Sequence, residues 1–385
     1  MSNLGIFLFA FSIVFCTAAC DAKPATEDVQ RADFSVTTLQ ADDGENSVCI
    51  GDFDDDGRLD IVIAVEDHHR LSLLRGDGDG GFSASVTVAA GESPTSVAHG
   101  YLDQDAHLDL IVANHETDYL TFLRGDGAGG FSPAPGSSIG VDVAPHPHVV
   151  RVADLNGDGN ADLIVDSRDK AGVYALASDG DGGFASPGTA IEVGGAPYLG
   201  FALGDINGDG VPDLVTPNRD TVSVLINESK TGIAFRRLQR LRFASPFAVE
   251  LADLDGDGRL DLIVASEADD DNIGIFLGNA GGGFPAEADT TLTVEGGPKT
   301  LAVGDFDGDR RSDVVVTAWR SDIRIISAAA TGFMTTALPQ APLEAPWNTS
   351  TGDLNNDGRA DIVVTDGDGA AVNVYLSAGP TVSTD

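Results

Sequence analysis

Asp52, Asp54 and Asp56 alternate along the chain, Gly57 follows and Asp60 closes the pattern, so one short loop carries carboxylates at positions 1, 3, 5 and 9. A loop wound about one point turns alternate side chains toward it. Glycine at position 6 permits the sharp turn, and position 7, here Arg58, offers its backbone carbonyl. Oxygen donors alone at this density suit a hard cation, and Ca²⁺ ahead of the transition metals. The pattern returns as Asp154, Asn156, Asp158, Asp162; as Asp205, Asn207, Asp209, Asp213; as Asp253, Asp255, Asp257, Asp261; and as Asp353, Asn355, Asp357, Asp361. Asparagine keeps a carbonyl oxygen as ligand and drops one charge.

Two loops depart from the pattern. One keeps Asp103, Asp105 and Asp109 but has Tyr101 at position 1 and Ala106 at position 6; the other keeps Asp305, Asp307, Asp309 and Asp313 but has Arg310 in place of glycine. Weak binding is expected in both, weakest in the first. Asp, Asn and Gly are common in turns, which would explain a single such loop. Five near-complete copies in register argue instead for about five to six cation sites.

The loops start at Asp52, Tyr101, Asp154, Asp205, Asp253, Asp305 and Asp353, at intervals of 48 to 53 residues. Seven repeats of this length match one four-stranded propeller blade each. In the first repeat the Asp loop leads into the apolar run 59–65, a polar loop, Leu71-Ser72-Leu73-Leu74, a glycine-rich turn ending at Phe82, and the alternating run 85–88. Short β-rich runs between turn residues read as strands, and no sustained helical period appears, so an all-β, almost helix-free fold is expected. The phenylalanine after the turn recurs at Phe82, Phe131, Phe184, Phe235, Phe284 and Phe333. The seventh copy stands at the other end of the chain. The last repeat stops near Ser377, after its third strand, while 33–40, which contains Phe34, resembles the missing turn-plus-strand unit. The expectation is a seven-bladed propeller over 32–378 in which the N-terminal strand joins the last blade and removes its open edge.

Residues 4–15 form an apolar stretch too short to span a bilayer but of the size of a signal-peptide core, followed by Thr17-Ala18-Ala19 and Cys20. A signal peptide over 1–20, a flexible tether over 21–31 and a C-terminal tail over 379–385 complete the expected organisation. The chain is therefore expected to be extracytoplasmic, secreted or held at the cell envelope. The end of the apolar segment resembles a bacterial lipobox, which makes Cys20 the candidate for lipidation, although Thr17 stands where leucine is usual and no Lys or Arg precedes the segment. The formal charge of −39 repels phosphates and anionic headgroups. It excludes nucleic acid as a direct partner, and a membrane except through a lipid anchor. A monomer is expected.

The Asp loops and the turns Gly81-Phe82, Gly130-Phe131, Gly183-Phe184 and Gly283-Phe284 resemble FG-GAP or VCBS repeats, the calcium-loop propeller repeats also found in integrin α-subunit heads. The resemblance covers 32–378. It implies Ca²⁺ sites between the first and second strands of each blade, mainly structural in role. The loops on the opposite face would then place Asn46, Thr95, His148, Tyr198, Phe247, Lys299 and Trp347 about the mouth of the central channel, joined by His68, His69, His115, Arg168, Arg219, Trp319 and Arg320 from the loops between strands two and three. These positions differ from blade to blade, and a mixture of aromatic, basic and polar groups suits a sugar or a peptide. Packing residues that plug the channel are the plainer reading of Phe247 and Trp347. His146-Pro147-His148 suggests a metal-binding pair but shows no third ligand, so it reads as a solvated loop.

There is no G-x-S-x-G elbow, H-E-x-x-H or phosphate-binding G-x-x-x-x-G-K. The function expected is a non-catalytic binding or adhesion module for protein or glycan on the face opposite the calcium loops. The alternative is a carbohydrate-active propeller of polysaccharide lyase or sugar dehydratase type, with His148, Tyr198, Lys299 or Arg320 as acid, base or charge stabiliser.

Overall fold

The computed structural model of the chain describes residues 32–40, 44–115, 117–140, 146–167, 172–186, 188–195, 200–229, 232–266, 271–319, 322–329, 331–341 and 343–379. The expected signal segment, Cys20 and residues 380–385 lie outside them. Seven four-stranded antiparallel sheets form a seven-bladed propeller. The first blade consists of Glu45–Gly51, Asp60–Val65, Arg70–Leu74 and Val86–Ala89, counted outward from the channel. Among the described residues only Glu66–His68 forms a helical turn.

The burial of each strand follows from its place in the blade. All seven second strands, from Asp60–Val65 to Asp361–Asp366, are buried at every position. A strand covered on both faces by neighbouring blades must be apolar throughout, which explains continuous runs such as Asp-Ile-Val-Ile-Ala-Val rather than alternation. The fourth strands face solvent at the rim and alternate, as in Asp33–Gln40. Seven hydrophobic clusters form the core, each shared by two adjacent blades; Cys49, Val62, Leu71 and Leu73 of blade one, for example, pack on Val97, Leu110, Val112 and Leu123 of blade two. The recurring phenylalanines reach across these seams. Phe131 meets Phe53 of the preceding blade edge-on at 5.9 Å, and Phe34 meets Phe306 at 6.2 Å.

Ring closure takes the expected form. Asp33–Gln40 pairs antiparallel with Ala371–Ala378 in a register running from Asp33 opposite Ala378 to Gln40 opposite Ala371, and so completes the blade that contains Pro346–Gly352 and Asp361–Asp366. Deleting 32–40 removes Phe34, Val36 and Leu39 from the seams and bares the edge of Ala371–Ala378. It is expected to lower the melting temperature by roughly 5–10 °C in differential scanning calorimetry, and an unchanged transition would contradict ring closure as a source of stability.

Candidate cation loops and channel-mouth site

The Asp loops join first strands to second strands in every blade, so they share one face. Position 9 is the first residue of the second strand and is almost wholly buried, from Asp60 to Asp361. Its carboxylate has two fixed partners. Asp60 Oδ2 accepts the backbone N–H of Phe53 at 3.0 Å and Oδ1 that of Gly76 at 2.9 Å. The same pair of bonds recurs at Asp109, Asp162, Asp213, Asp261 and Asp361. At Asp313 the Phe306 N–H supplies one arm and the Ser327 side chain the other. Gly76 is required where this brace passes, because a Cβ there would stand 2.1 Å from the Leu59 carbonyl oxygen.

Position 1 shapes the loop itself. Asp253 accepts the N–H groups of Gly256, Asp257 and Gly258, the two glycines in the left-handed region at φ 79° and 83°. In the sixth loop Arg310 takes φ 70° and still donates its N–H to Asp305 at 2.9 Å, so the path survives a non-glycine residue at a cost of about 1–2 kcal/mol of strain. Tyr101 in the second loop supplies no carboxylate and is 60% exposed, and Arg124 Nε lies 3.1 Å from Asp103.

Carboxylate oxygens of positions 1, 3 and 9 converge within 4.8 Å in Asp52/Asp54/Asp60, Asp253/Asp255/Asp261 and Asp305/Asp307/Asp313, as do Asp103/Asp105/Asp109. In three loops position 5 is held elsewhere. Asp56, Asp257 and Asp309 pair with the arginine at position 7, namely Arg58 at 2.9 Å, Arg259 and Arg311. In the loops with asparagine at position 3, Asn156, Asn207 and Asn355 point Oδ1 at the N–H of Asp158, Asp209 and Asp357. Burial pushes the carboxyls of Asp60, Asp109, Asp213 and Asp361 up to about 6 and that of Asp313 to about 7, and the neighbouring loop carboxylates push the same way. A convergent, desolvated cluster of anionic oxygens is the donor set that a hard cation fits.

The opposite end of the channel is built from the starts of the first strands and from the loops between strands two and three. A cavity of about 640 Å³ opens there, lined at the mouth by Glu66, Thr95, His115, His148, Lys299, Trp319 and Trp347, and deeper by Arg151 and Glu250. Lys299 is only 1% exposed, with Nζ over the Trp347 ring and 4.0 Å from the centroid of Trp319. The two indoles meet edge to face at 5.2 Å. Burial pushes the lysine amine down to about 6, against the pull of Asp368. Among the described residues, Lys299 Nζ, Trp319 Nε1 and Thr349 Oγ1 are buried without a hydrogen-bond partner in the protein. Across the cavity, His115 Nδ1 lies 3.1 Å from Glu66 Oε1, and its Nε2 lies 3.0 Å from Nε2 of His148.

The structure thus brings His148, Lys299, Trp319 and Trp347 to one cavity. Phe247 is turned off its wall, 3% exposed in the seam between blades five and six with its ring 6.5 Å from Trp319. Arg168, Tyr198 and Arg320 lie outside the described residues. Glu66 and Glu250 escape sequence reasoning, because nothing in their local pattern marks them as facing the channel.

Residues 52–112, 101–165 and 253–316 match the FG-GAP-like repeat family. With seven four-stranded blades, that makes the chain an FG-GAP-repeat β-propeller. No curated protein sequence matches it. Among solved structures it is similar to BBS1N crystallised in complex with ARL6DN, at TM-score 0.62 and 13% identity over 92% of this chain and 99% of that one. A catalytically inactive virginiamycin B lyase from Staphylococcus aureus with quinupristin gives TM-score 0.58 and 10% identity over 89% and 99%. An Agrocybe aegerita lectin that recognises non-reducing terminal N-acetylglucosamine gives 0.57 and 17% over 88% and 96%. At these identities the likeness is one of fold.

Glu250, half-buried on the channel wall, has its carboxyl pushed up to about 7 by burial, with Arg151 pulling the other way. A raised carboxyl pKa means that the folded state holds the proton more tightly than the unfolded one, so stability is lost as pH rises from about 4.5 to 7. Glu250→Gln removes this loss. It is expected to match the parent near pH 4.5 and to melt higher above pH 7 by about 1–2 kcal/mol, as read from thermal melts across that range.

Proposed function

We propose that the chain is an exported, calcium-braced propeller that captures a glycan at the channel mouth opposite its Asp loops. The observation that carries the reading is the pair of indoles over a cavity into which Lys299 Nζ, Trp319 Nε1 and Thr349 Oγ1 bring hydrogen-bonding groups that the protein leaves unpaired. Buried donors without acceptors cost about 1–3 kcal/mol each, so an acceptor-rich ligand recovers what folding alone does not. The part-exposed indoles offer apolar contact to a sugar ring, and its hydroxyls reach the donors. The lectin of similar fold supports the reading as an example of such a propeller binding a sugar. The apolar segment 4–15 supports export.

Glycan-array screening tests this. Lys299→Met is expected to raise the melting temperature by several degrees below pH 6, where the buried amine would otherwise have to stay charged, while reducing glycan binding at least tenfold. A variant that is both more stable and fully competent to bind would remove Lys299 from the site. An array without hits, together with capture of a defined protein, would turn the reading to a protein ligand. Release of shortened sugars with an unsaturated end would turn it to a polysaccharide lyase, and loss of water from an intact sugar to a dehydratase, with His148 and Lys299 as the acid–base groups.

Calcium is the cation we assign to the loops with positions 1, 3 and 9 intact, about five to six in number, because their donors are all oxygen and buried on one side. A single site saturated at about 100 times its Kd contributes about 2.7 kcal/mol. Chelation with EDTA is therefore expected to lower the melting temperature by more than 10 °C, and Asp253→Asn to reproduce part of that drop by itself while Asp103→Asn changes little. Equal melting curves with and without EDTA would overturn the calcium assignment.

A further inference from the structure

We infer that the channel mouth carries a second metal site, distinct in chemistry from the Asp loops, in which the Nε2 atoms of His115 and His148 bind a divalent transition metal such as Zn²⁺. The two atoms face each other at 3.0 Å. Two imidazole nitrogens bound to one tetrahedral zinc at 2.0–2.1 Å lie about 3.3 Å apart, so a displacement of a few tenths of an ångström admits the ion. The pair comes from different blades and is held from behind. The backbone N–H of His115 donates to the Ser93 carbonyl at 2.8 Å, and that of His148 to the buried carboxylate of Asp166 at 3.0 Å.

Glu66, from a third blade, lies 3.1 Å from His115 Nδ1. A carboxylate there keeps the proton on Nδ1 and the Nε2 lone pair toward His148, the outer arrangement that orients metal-binding histidines and raises their basicity. The His146 ring stands 4.8 Å from that of His115 and 6.2 Å from that of His148, so a side-chain rotation brings a third imidazole within reach. Imidazole donors select Zn²⁺, Cu²⁺ or Ni²⁺, whereas the oxygen-only loops select Ca²⁺, so the two ends of the channel discriminate between metals. Both histidines line the channel-mouth cavity, which leaves the remaining coordination positions open to a ligand, as in sites where a metal anchors or activates what it binds. This inference stands apart from the glycan reading, since the metal is the probe.

The test uses the full chain with its purification tag removed, in millimolar Ca²⁺ to occupy the Asp loops, titrated with Zn²⁺ by calorimetry and with Co²⁺ by visible absorption. The expected result is one tight equivalent per chain and a Co²⁺ spectrum of low coordination number. Affinity should fall at least thirtyfold in His115→Ala and in His148→Ala, and about tenfold in Glu66→Gln, with melting temperatures close to the parent in Ca²⁺. His148→Gln, which keeps a polar group of similar length, guards against misfolding of the alanine variant. Equal Zn²⁺ affinity in the parent and in the folded His115/His148 double variant would overturn the site, as would the absence of any Zn²⁺ binding under saturating Ca²⁺. Either result would leave the pair as an N–H···N hydrogen bond.

Discussion

The carboxylate at position 9 of each Asp loop is the contact on which the rest of this propeller depends. Asp60 joins three segments of one blade: the start of the loop through Phe53 N–H, the second strand that it begins, and the hairpin of strands three and four through Gly76 N–H. Charge-assisted bonds of this kind contribute about 1.5–3 kcal/mol each, but they are made in a buried setting that pushes the carboxyl upward. The same residue therefore both braces the blade and raises its electrostatic cost. The cation proposed for these loops would resolve the conflict, because bound by positions 1 and 3 it neutralises the cluster without displacing the backbone donors.

Packing follows from the same brace. Fixing Phe53 N–H on Asp60 drives the side chain at position 2 into the seam with the next blade, where Phe53, Leu102, Leu155, Leu254, Phe306 and Leu354 are nearly fully buried. Each loop thus delivers one apolar anchor to the core while leaving its carboxylates at the surface. The phenylalanine of the following turn closes on that anchor from the neighbouring blade, as Phe131 does on Phe53. The loop is a joint as much as a candidate cation site. That is why the second blade keeps its place in the ring although Tyr101 replaces its first carboxylate: Asp109 still makes both backbone bonds.

Much of this was legible in the sequence, because identical tasks leave identical residues at regular intervals. The Asp loops and turn phenylalanines gave the blade count, and the displaced copy at Phe34 gave the closing strand. Two features were hidden by the same regularity. Position 5 looks like any other loop carboxylate, yet Arg58, Arg259 and Arg311 draw it away from the cluster, a competition that alternation alone does not show. Phe247 and Trp347 occupy equivalent sites but part company: the Trp347 indole packs where Gly367 has no Cβ, a Cβ that would stand 2.7 Å from it, while Phe247 sinks into the seam. The contact among Glu66, His115 and His148 joins three blades, and no local pattern announces it.

Charge limits what the mouth can hold. A protein of formal charge −39 sets up a field that turns anions away within about a Debye length of its surface, and the buried amine of Lys299 at the mouth is pushed to about 6, so it offers little positive charge at neutral pH. Arg58, Arg75 and Arg124 on the Asp-loop face are committed to loop carboxylates. An acidic polysaccharide or a phosphorylated peptide would have to approach against this field, with a weakly charged lysine beside the indoles to meet it. A neutral, hydroxyl-rich ligand pays no such toll, and a divalent cation is drawn in. The two occupants inferred for this end of the channel, an uncharged sugar against the indoles and a metal between the histidines, are the two that the field of the protein itself admits.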